Sequence, residues 1–336
     1  MTLTELLHAL NDIGAQLSVH GDRLRVDAPQ GSIGPELQAA LRKRKAELIR
    51  VVLTGAGIQH SPITSSASPS RAPLSMAQER VWLFQELEPE STAYNMTPVM
   101  RITGPVDPDR LDSALRRVAE RHEPLRTLVS GYGPETLQQV VPVPETILRF
   151  EDVATRALDD RATVTRTLVQ REREHVFDLR REIPFRALLI RRDEETHDLV
   201  TTFHHLAVDG MSLQIFYRDL LAFYRGETPD PLPVRYADFA MWEREQWAGE
   251  RLKQEVAYWR EHLRGAPLIL DLPTDHPRTA TGSYRGGMVG RTIGTRDTRR
   301  LRAVAQQERA SLFMALLAAY GSALHRHSGQ RDLVVG

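Results

Sequence analysis

One stretch without regular structure divides this chain, and it constrains the possible folds more than any other feature. Residues 55–73 (GAGIQHSPITSSASPSRAP) are rich in Ser, Pro, Gly and Ala and carry neither a helical nor a strand period. This composition is typical of a flexible linker, because it supplies turn formers and no apolar face that could be buried. The sequence therefore predicts a small folded unit before residue 55 and a larger one from residue 74.

The first 54 residues have the pattern of a compact αββαα unit. Thr2 and Glu5 form a capping-box pattern, and one helical face combines Leu3, Leu6, Leu7, Leu10 and Ile13. Alternating residues at 17–19 and 24–26 flank a Gly-containing turn, which predicts a β-hairpin. The helical pattern over 35–53 fits one helix or two.

The larger unit mixes helical and strand patterns, which predicts an α/β (α+β) fold. Strands are predicted over 99–103, 188–191, 199–205 and 332–335. Helices are predicted over 73–87, 213–224, 239–263 and 298–325, and one more begins at Pro108 with Asp107 as its N-cap. A Pro- and Gly-rich crossing separates the last two of these long helices, at 266–290.

Composition excludes several classes of function. Lys+Arg and Asp+Glu are equal at 44 each, so no global basic field attracts nucleic acid or an anionic membrane. No apolar run approaches the roughly 20 residues of a membrane-spanning helix, and the N-terminus lacks the pattern of a signal peptide. The absence of cysteine excludes disulfides, thiol catalysis and cysteine zinc sites. We therefore expect a cytoplasmic protein.

The segment FHHLAVDG at residues 203–210 concentrates the chemistry-bearing side chains. Neighbouring side chains on a strand point to opposite faces, so His204 and His205 cannot both face one site. This geometry disfavours a metal site that uses both, and no third ligand stands at helical spacing. Asp209 lies at the turn that follows, and Gly210 permits a tight backbone path. Two histidines that merely pack in a core are the alternative interpretation.

Four motifs in order resemble the condensation-domain family of non-ribosomal peptide synthetases. HHLAVDG at 204–210 matches the family pattern HHxxxDG, although Met211 stands where an aromatic residue is common. SMAQERVWLF at 75–84 resembles S-x-A-Q-x-R-x-W-x-L, with Phe84 in place of the final leucine. RHEPLRT at 121–127 and YADFAMW at 236–242 match two further patterns. The resemblance covers residues 74–336.

The resemblance implies the chloramphenicol acetyltransferase-like fold, in which two lobes enclose an active-site tunnel. It places the N-terminal lobe at 74–265, and the crossing region and the start of the C-terminal lobe at 266–336. The family's later motifs do not follow, so we expect the second lobe to be incomplete in this sequence.

The reaction implied by the family is amide-bond formation between a donor acyl or peptidyl thioester and an acceptor aminoacyl thioester. Both substrates are carried on the phosphopantetheine arms of donor and acceptor peptidyl carrier proteins, and no cofactor or metal is bound directly. His205 is implied to face the tunnel as a base or a positioning group. Gly210 is implied to expose a backbone N–H near the reacting carbonyl.

The other residues of the motif are implied to be structural. His204 is expected to pack inside, and Asp209 to pair with a buried arginine that fixes the loop. Arg285 is the first candidate for that arginine, and Arg121 and Arg126 are the next.

The first 54 residues resemble the small N-terminal docking domains of the same synthetases. Such a domain is implied to bind the C-terminal tail of an upstream subunit at the edge of its hairpin. Basic residues that would suit an acidic tail are Arg23, Arg25, Arg42, Lys43 and Arg44. The same run also fits an ordinary solvated helix face.

Other functions stay open at this stage. A carrier-independent acyltransferase of the same superfamily would use soluble acyl-CoA, and an epimerising relative would share the motifs. A chain with an incomplete second lobe could also act only as an interaction module. The docking-like N-terminus and the RHEPLRT motif favour condensation over the carrier-independent acyltransferase, and the docking unit also favours it over the epimerising relative.

Overall fold

The structure is a computed structural model in which the chain divides into two compact units, Met1–Thr64 and Ser65–Gly336. It describes residues 2–13, 15–20, 23–29, 32–54, 63–65, 71–267, 269–276 and 289–335. Within these ranges, none of the helices combines the length and the apolar character that spanning a bilayer requires.

The first unit has the predicted αββαα order. Its elements are α1 (Leu3–Asp12), β1 (Gln16–His20), β2 (Arg23–Asp27), α2 (Pro35–Lys43) and α3 (Lys45–Thr54). The predicted hairpin is present as the antiparallel pair β1–β2, and the helical pattern over 35–53 forms two helices.

Leucines hold the first unit together. Leu6, Leu10, Leu41 and Leu48 are buried in one cluster that joins α1 to the last two helices. The predicted capping box is present, because the backbone N–H of Glu5 donates to the Thr2 hydroxyl and that of Thr2 donates to the Glu5 carboxylate.

The second unit contains eight strands, eight α-helices and two short 3-10 helices (Glu123–Arg126 and Gly133–Glu135) among the described residues. The strands are β3 (Arg71–Pro73), β4 (Asn95–Met96), β5 (Val99–Thr103), β6 (Thr127–Ser130), β7 (Leu137–Val140), β8 (Leu148–Asp152), β9 (Phe185–Arg191) and β10 (Thr196–His204). The helices are α4 (Met76–Leu87), α5 (Pro108–Arg121), α6 (Leu158–Arg173), α7 (Gly210–Arg225), α8 (Tyr236–Gln246), α9 (Glu250–His262), α10 (Thr295–Gln307) and α11 (Leu312–Ser328).

Strand β10 is central to the main sheet. On one side it pairs antiparallel with β9, which itself pairs parallel with β8. On its other side it pairs antiparallel with β5 and then with β4. A second sheet has the order β3–β7–β6.

Helices cover both faces of the main sheet. Leu199 and Phe203 of β10 belong to the large core that includes residues of α5 and α7. Val200, between them, belongs to a separate cluster against which Val164 and Leu168 of α6 pack. Alternate side chains of β10 therefore enter different layers, as the period of a strand requires.

Three sequence-based predictions of single elements are wrong. The predicted helix over 239–263 is two helices, α8 and α9, because Gly249 interrupts it with φ of +69°. The predicted helix over 298–325 is also two, α10 and α11, with Arg309 at φ of +54° and Ser311 as the N-cap of α11. Residues 332–335 form no strand, and no described strand lies beside them to supply hydrogen bonds.

Candidate active site

The paired histidines stand at the end of β10 and point to opposite sides. His204 is the last residue of the strand and is only 1% exposed, whereas His205 is exposed. The backbone N–H of His204 donates to the Pro184 carbonyl oxygen at 3.0 Å, and that of His205 donates to the Tyr94 carbonyl oxygen at 2.8 Å. The two side chains thus lie in different surroundings, His204 in the protein interior and His205 at the surface.

His204 is enclosed and neutral. Its Nδ1 accepts the backbone N–H of Leu206 at 3.2 Å, and its Nε2 lies 3.2 Å from Oε1 of Gln85. Burial, with the nearby His205, lowers the pKa of His204 from 6.5 to about 4. The ring therefore contributes hydrogen bonds rather than charge at neutral pH.

The imidazole of His205 has both nitrogens available. Within the described part of the chain it makes no hydrogen bond or ion pair, and the ring of Tyr94 stands edge-on to it at 6.0 Å between centroids. An exposed imidazole of this kind can accept a proton or orient a donor.

Asp209 and Gly210 form the start of α7. The Asp209 carboxylate accepts the backbone N–H of Ser212 at 2.8 Å and the Ser212 hydroxyl at 2.6 Å, which makes it the N-cap. These Ser212 hydrogen bonds lower the pKa of Asp209 below its ordinary value. Gly210 is the first residue of the helix, so its backbone N–H has no acceptor within α7 and lies at the positive end of the helix dipole.

The expected pairing of Asp209 with Arg121 or Arg126 is wrong. Nε of Arg121 donates to Asp219 at 2.9 Å. Arg126 donates to the carbonyl oxygens of Ala119 and Val141 at 3.2 and 2.7 Å. Both arginines are thus engaged where α5 ends, whereas Asp209 is exposed at the start of α7. Arg285, the first candidate, lies outside the described residues.

The RHEPLRT segment holds α7 instead. Asp219 of α7 is 1% exposed and receives Arg121, Arg218 and His122, whose Nε2 lies 2.8 Å from the carboxylate. Three groups from two helices thus satisfy one buried carboxylate, which locks α7 against the end of α5.

The segment at 75–84 holds the loop between β10 and α7. Ser75 caps α4, and Gln78 completes the capping box. Nε2 of Gln78 also donates to the carbonyl oxygen of Leu206 at 3.3 Å. One side chain therefore connects the start of α4 to the residue that follows His205.

The YADFAMW segment joins the same region through α8. The Tyr236 hydroxyl lies 2.8 Å from the Ser75 hydroxyl. Asp238 is buried and bonds both the backbone N–H and the guanidinium of Arg235, which starts the helix. The four sequence segments are thus linked: 75–84 contacts the loop at Leu206, 236–242 contacts Ser75, and 121–127 contacts α7, which follows the loop.

Comparison with known proteins identifies this arrangement. A family model described as the condensation domain matches residues 69–336. The chain belongs to the condensation-domain family. A second family model, the TubC N-terminal docking domain, matches residues 3–51. Both resemblances predicted from the sequence are confirmed.

Relatives of this condensation-domain chain are peptide synthetases. It is 36% identical over 323 residues to CymA of Salinispora arenicola, a probable non-canonical nonribosomal peptide synthetase, covering 93% of this chain and 4% of that protein. It is 38% identical over 277 residues to phosphinothricin tripeptide synthetase PhsC of Streptomyces viridochromogenes, covering 79% of this chain and 25% of that protein.

A solved structure supports the fold. The EpoB NRPS cyclization-docking bidomain from Sorangium cellulosum aligns with a TM-score of 0.76 at 22% identity, over 98% of this chain and 65% of that one. The expected mixed α/β fold of the chloramphenicol acetyltransferase-like type is confirmed. The chain spans less than two thirds of the length of each of these three proteins.

The predicted docking residues lie in the first unit. Arg25, Arg42 and Lys43 are exposed. Arg44 is half-buried, and its guanidinium contacts Glu47 at 2.7 Å. The side chain of Arg23 lies outside the described residues.

Three residues that hold the condensation-domain loop escaped the sequence analysis. Asp219 is a charged residue within the buried face of α7, a signal that could have marked it. Gln85 follows Gln78 by two helical turns, which places both on one face of α4. Tyr94 acts through its backbone carbonyl, which no sequence pattern reveals.

We predict that Asp209→Ala lowers the free energy of unfolding of the second unit by about 1 kcal/mol, the usual value of an N-cap. Asp107→Ala is the matched control, because Asp107 caps α5 by the same hydrogen bond to the backbone N–H three residues on. Urea unfolding followed by tryptophan fluorescence measures both, since Trp82, Trp242, Trp247 and Trp259 all belong to the second unit. A loss of about 3–5 kcal/mol for Asp209→Ala alone would instead indicate a buried charged partner.

We also predict that His204 makes stability depend on pH between its unfolded and folded pKa values. As the pH falls from 6.5 to about 4, His204 binds a proton in the unfolded chain but stays neutral in the folded chain. The free energy of unfolding therefore falls through this window, by ~3 kcal/mol from this residue, and no further below it.

Comparison with His204→Asn isolates this contribution, because asparagine does not titrate and its carbonyl can still accept the N–H of Leu206. When urea unfolding is measured at steps of pH, the free energy of unfolding should fall less steeply with falling pH in the variant than in wild type. An equal dependence on pH in the two proteins would contradict the lowered pKa of His204.

Proposed function

We propose that this protein takes part in non-ribosomal peptide synthesis and forms amide bonds between carrier-bound substrates. The donor is an acyl or peptidyl thioester, and the acceptor is an aminoacyl thioester. The observation that carries the proposal is the exposed His205 at the end of β10, in a loop that Gln78 of a second family motif holds through Leu206. A cytoplasmic location, which the cysteine-free composition fits, is part of this proposal.

The chemistry follows from what His205 and the start of α7 offer. The neutral amine of the acceptor attacks the thioester carbonyl, the C–N bond forms and the C–S bond breaks. His205 accepts or orients the amine proton, which then passes to the leaving thiolate. The backbone N–H of Gly210 and the positive end of α7 suit the negative charge that develops on the carbonyl oxygen. Holding two tethered reactants together supplies much of the acceleration.

The division into parts is also proposed. Residues 1–54 form the docking domain, 55–73 the linker, 74–265 the N-terminal lobe, and 266–336 the crossing and the start of the C-terminal lobe. The last three residues of the predicted linker, Arg71–Pro73, pair with β7 as strand β3 and so belong to the second unit. Arg285, in the crossing, stays the predicted partner of Asp209, and because Asp209 is exposed this pair adds little to stability beyond the N-cap. The substrates reach the site on phosphopantetheine arms, and the protein itself binds no cofactor.

Replacing His205 tests the reaction. In a complete condensation domain that contains residues 1–336, His205→Ala should lower the rate of dipeptide formation by about 10²-fold or more. The assay supplies donor-loaded and acceptor-loaded carrier proteins and detects the product by mass spectrometry. Because His205 is exposed, the His205→Ala protein should unfold at the same urea concentration as wild type.

Other outcomes would overturn the proposal. Full activity of His205→Ala would remove its catalytic role. Turnover of soluble acyl-CoA without a carrier protein would identify a carrier-independent acyltransferase. Carrier binding without any product from the complete domain would identify an interaction module.

We further propose that the first unit binds the acidic C-terminal tail of an upstream synthetase subunit. The described hairpin has only two strands, so an extended tail could add a third. Arg25, Arg42 and Lys43 supply exposed positive charge on the same unit.

Charge reversal tests this docking. The double variant Arg25→Glu with Arg42→Glu should weaken binding of a synthetic upstream tail peptide about tenfold in calorimetry, and added salt should shrink the difference. The exposed Arg302 lies on α10 in the other unit, so Arg302→Glu is the control and should bind as wild type. Equal loss in the control would mean that only overall charge matters.

A further inference from the structure

Helix α4 presents two buried glutamines to the loop that carries His205. Gln78 and Gln85 are only 2% and 7% exposed, which is unusual for glutamine. They lie seven residues apart and so on one face of the helix. A buried amide must find hydrogen-bond partners, and the partners of these two identify what the pair does.

The orientation of the Gln85 amide follows from its first contact. One of its terminal atoms lies 2.9 Å from the carbonyl oxygen of Pro89. A carbonyl can only accept, so that atom is the amide nitrogen, and the other is Oε1. Oε1 lies 3.2 Å from Nε2 of His204, and an amide oxygen can only accept. Nε2 of His204 therefore carries the proton.

The other side of the His204 ring gives the same answer independently. The backbone N–H of Leu206 can only donate, and it points to Nδ1 at 3.2 Å. Nδ1 must therefore be unprotonated. A chain of hydrogen bonds with one direction thus runs from the Leu206 amide through His204 and Gln85 to the Pro89 carbonyl.

Leu206 is held on its other side as well. Its carbonyl oxygen accepts Nε2 of Gln78 at 3.3 Å, and Oε1 of Gln78 accepts the backbone N–H of Ser75 at 3.0 Å. The Leu206 side chain is buried in the cluster that contains Trp82 of α4. The residue directly after His205 is therefore fixed at its N–H, its C=O and its side chain.

We propose that Gln85 is a positioning residue that sets the Nε2–H tautomer of His204 and thereby aims His205. With Nδ1 unprotonated, His204 accepts the hydrogen bond from the backbone N–H of Leu206. Leu206 in turn fixes the backbone from which the His205 imidazole projects. In the opposite tautomer an N–H of the ring would face the N–H of Leu206, and the loop would have to move. The catalytic consequence rests on the proposed condensation reaction, whereas the tautomer does not.

Two substitutions of Gln85 separate this role from simple packing. Gln85→Leu fills similar space but offers no acceptor, so only the N–H of Leu206 is left to favour the Nε2–H tautomer of His204. Gln85→Glu keeps an acceptor for the Nε2 proton and should keep the tautomer. Wild type, Gln85→Leu and Gln85→Glu are compared in the complete domain, with residues 1–336 as the common sequence.

The first readout is spectroscopic. Long-range ¹⁵N–¹H correlation spectra of histidine-labelled protein report which nitrogen of His204 is protonated, and hydrogen exchange reports the Leu206 amide. Wild type and Gln85→Glu should show only the Nε2–H form. Gln85→Leu should populate the other tautomer and exchange the Leu206 amide about tenfold faster.

The second readout is the condensation rate with loaded carrier proteins. Gln85→Leu should lower kcat about tenfold with little change in the apparent KM for the carriers, and Gln85→Glu should recover most of that loss. A packing role alone predicts instead that the apolar leucine is tolerated better than the buried glutamate.

Several results would overturn the proposal. An Nδ1–H tautomer of His204 in wild type, or a mixture of the two tautomers, would overturn it. This test needs no variant and stands even if Gln85→Leu fails to fold. Unchanged spectra and an unchanged rate in Gln85→Leu would do so as well. If wild type forms no peptide at all, the condensation function fails, while the spectra still decide the role of Gln85.

Discussion

The alternation of side chains along β10 is the constraint on which the site depends. Successive residues of a strand face opposite sides, so a strand that sends Phe203 into the large core must send His204 to the other face. His205 then emerges beyond the last strand residue, exposed, with its backbone N–H held by Tyr94. One histidine is thereby enclosed and neutral, and its neighbour is exposed to solvent.

The surrounding elements keep this short segment from moving. Gln78 and Gln85 of helix α4 hydrogen-bond to Leu206 and His204 on either side of His205. Helix α7 begins at the other end of the loop, and its buried Asp219 pairs with Arg121 of α5. Removing one partner from such a buried charge cluster is costly, because the remaining charges stay desolvated. The family motifs contribute mainly by holding this loop and α7 in place, and they leave the side chain of His205 exposed.

In the described part of the second unit, local pattern predicted six strands and α-helices, missed six, and merged two pairs of consecutive helices. The missed elements are β3, β4, β6, β7, β8 and α6. The N-cap Asp107 and strand β5 stand where the sequence places them, because capping and alternation are local effects. The breaks near Gly249 and Arg309 interrupt continuous helical patterns, and a single residue with positive φ is enough to end a helix. A strand at 332–335 needs a partner, which no local pattern can supply.

The sequence by itself determined the family, the separation into two units, and the rule that His204 and His205 face opposite ways. Each of these depends on order and spacing along the chain. Only the tertiary structure decided that Arg121 bonds Asp219 and that Gln85 bonds His204. Those partners stand 98 and 119 residues apart, and a hydrogen bond between distant residues depends on how the helices pack, which leaves no period in the sequence.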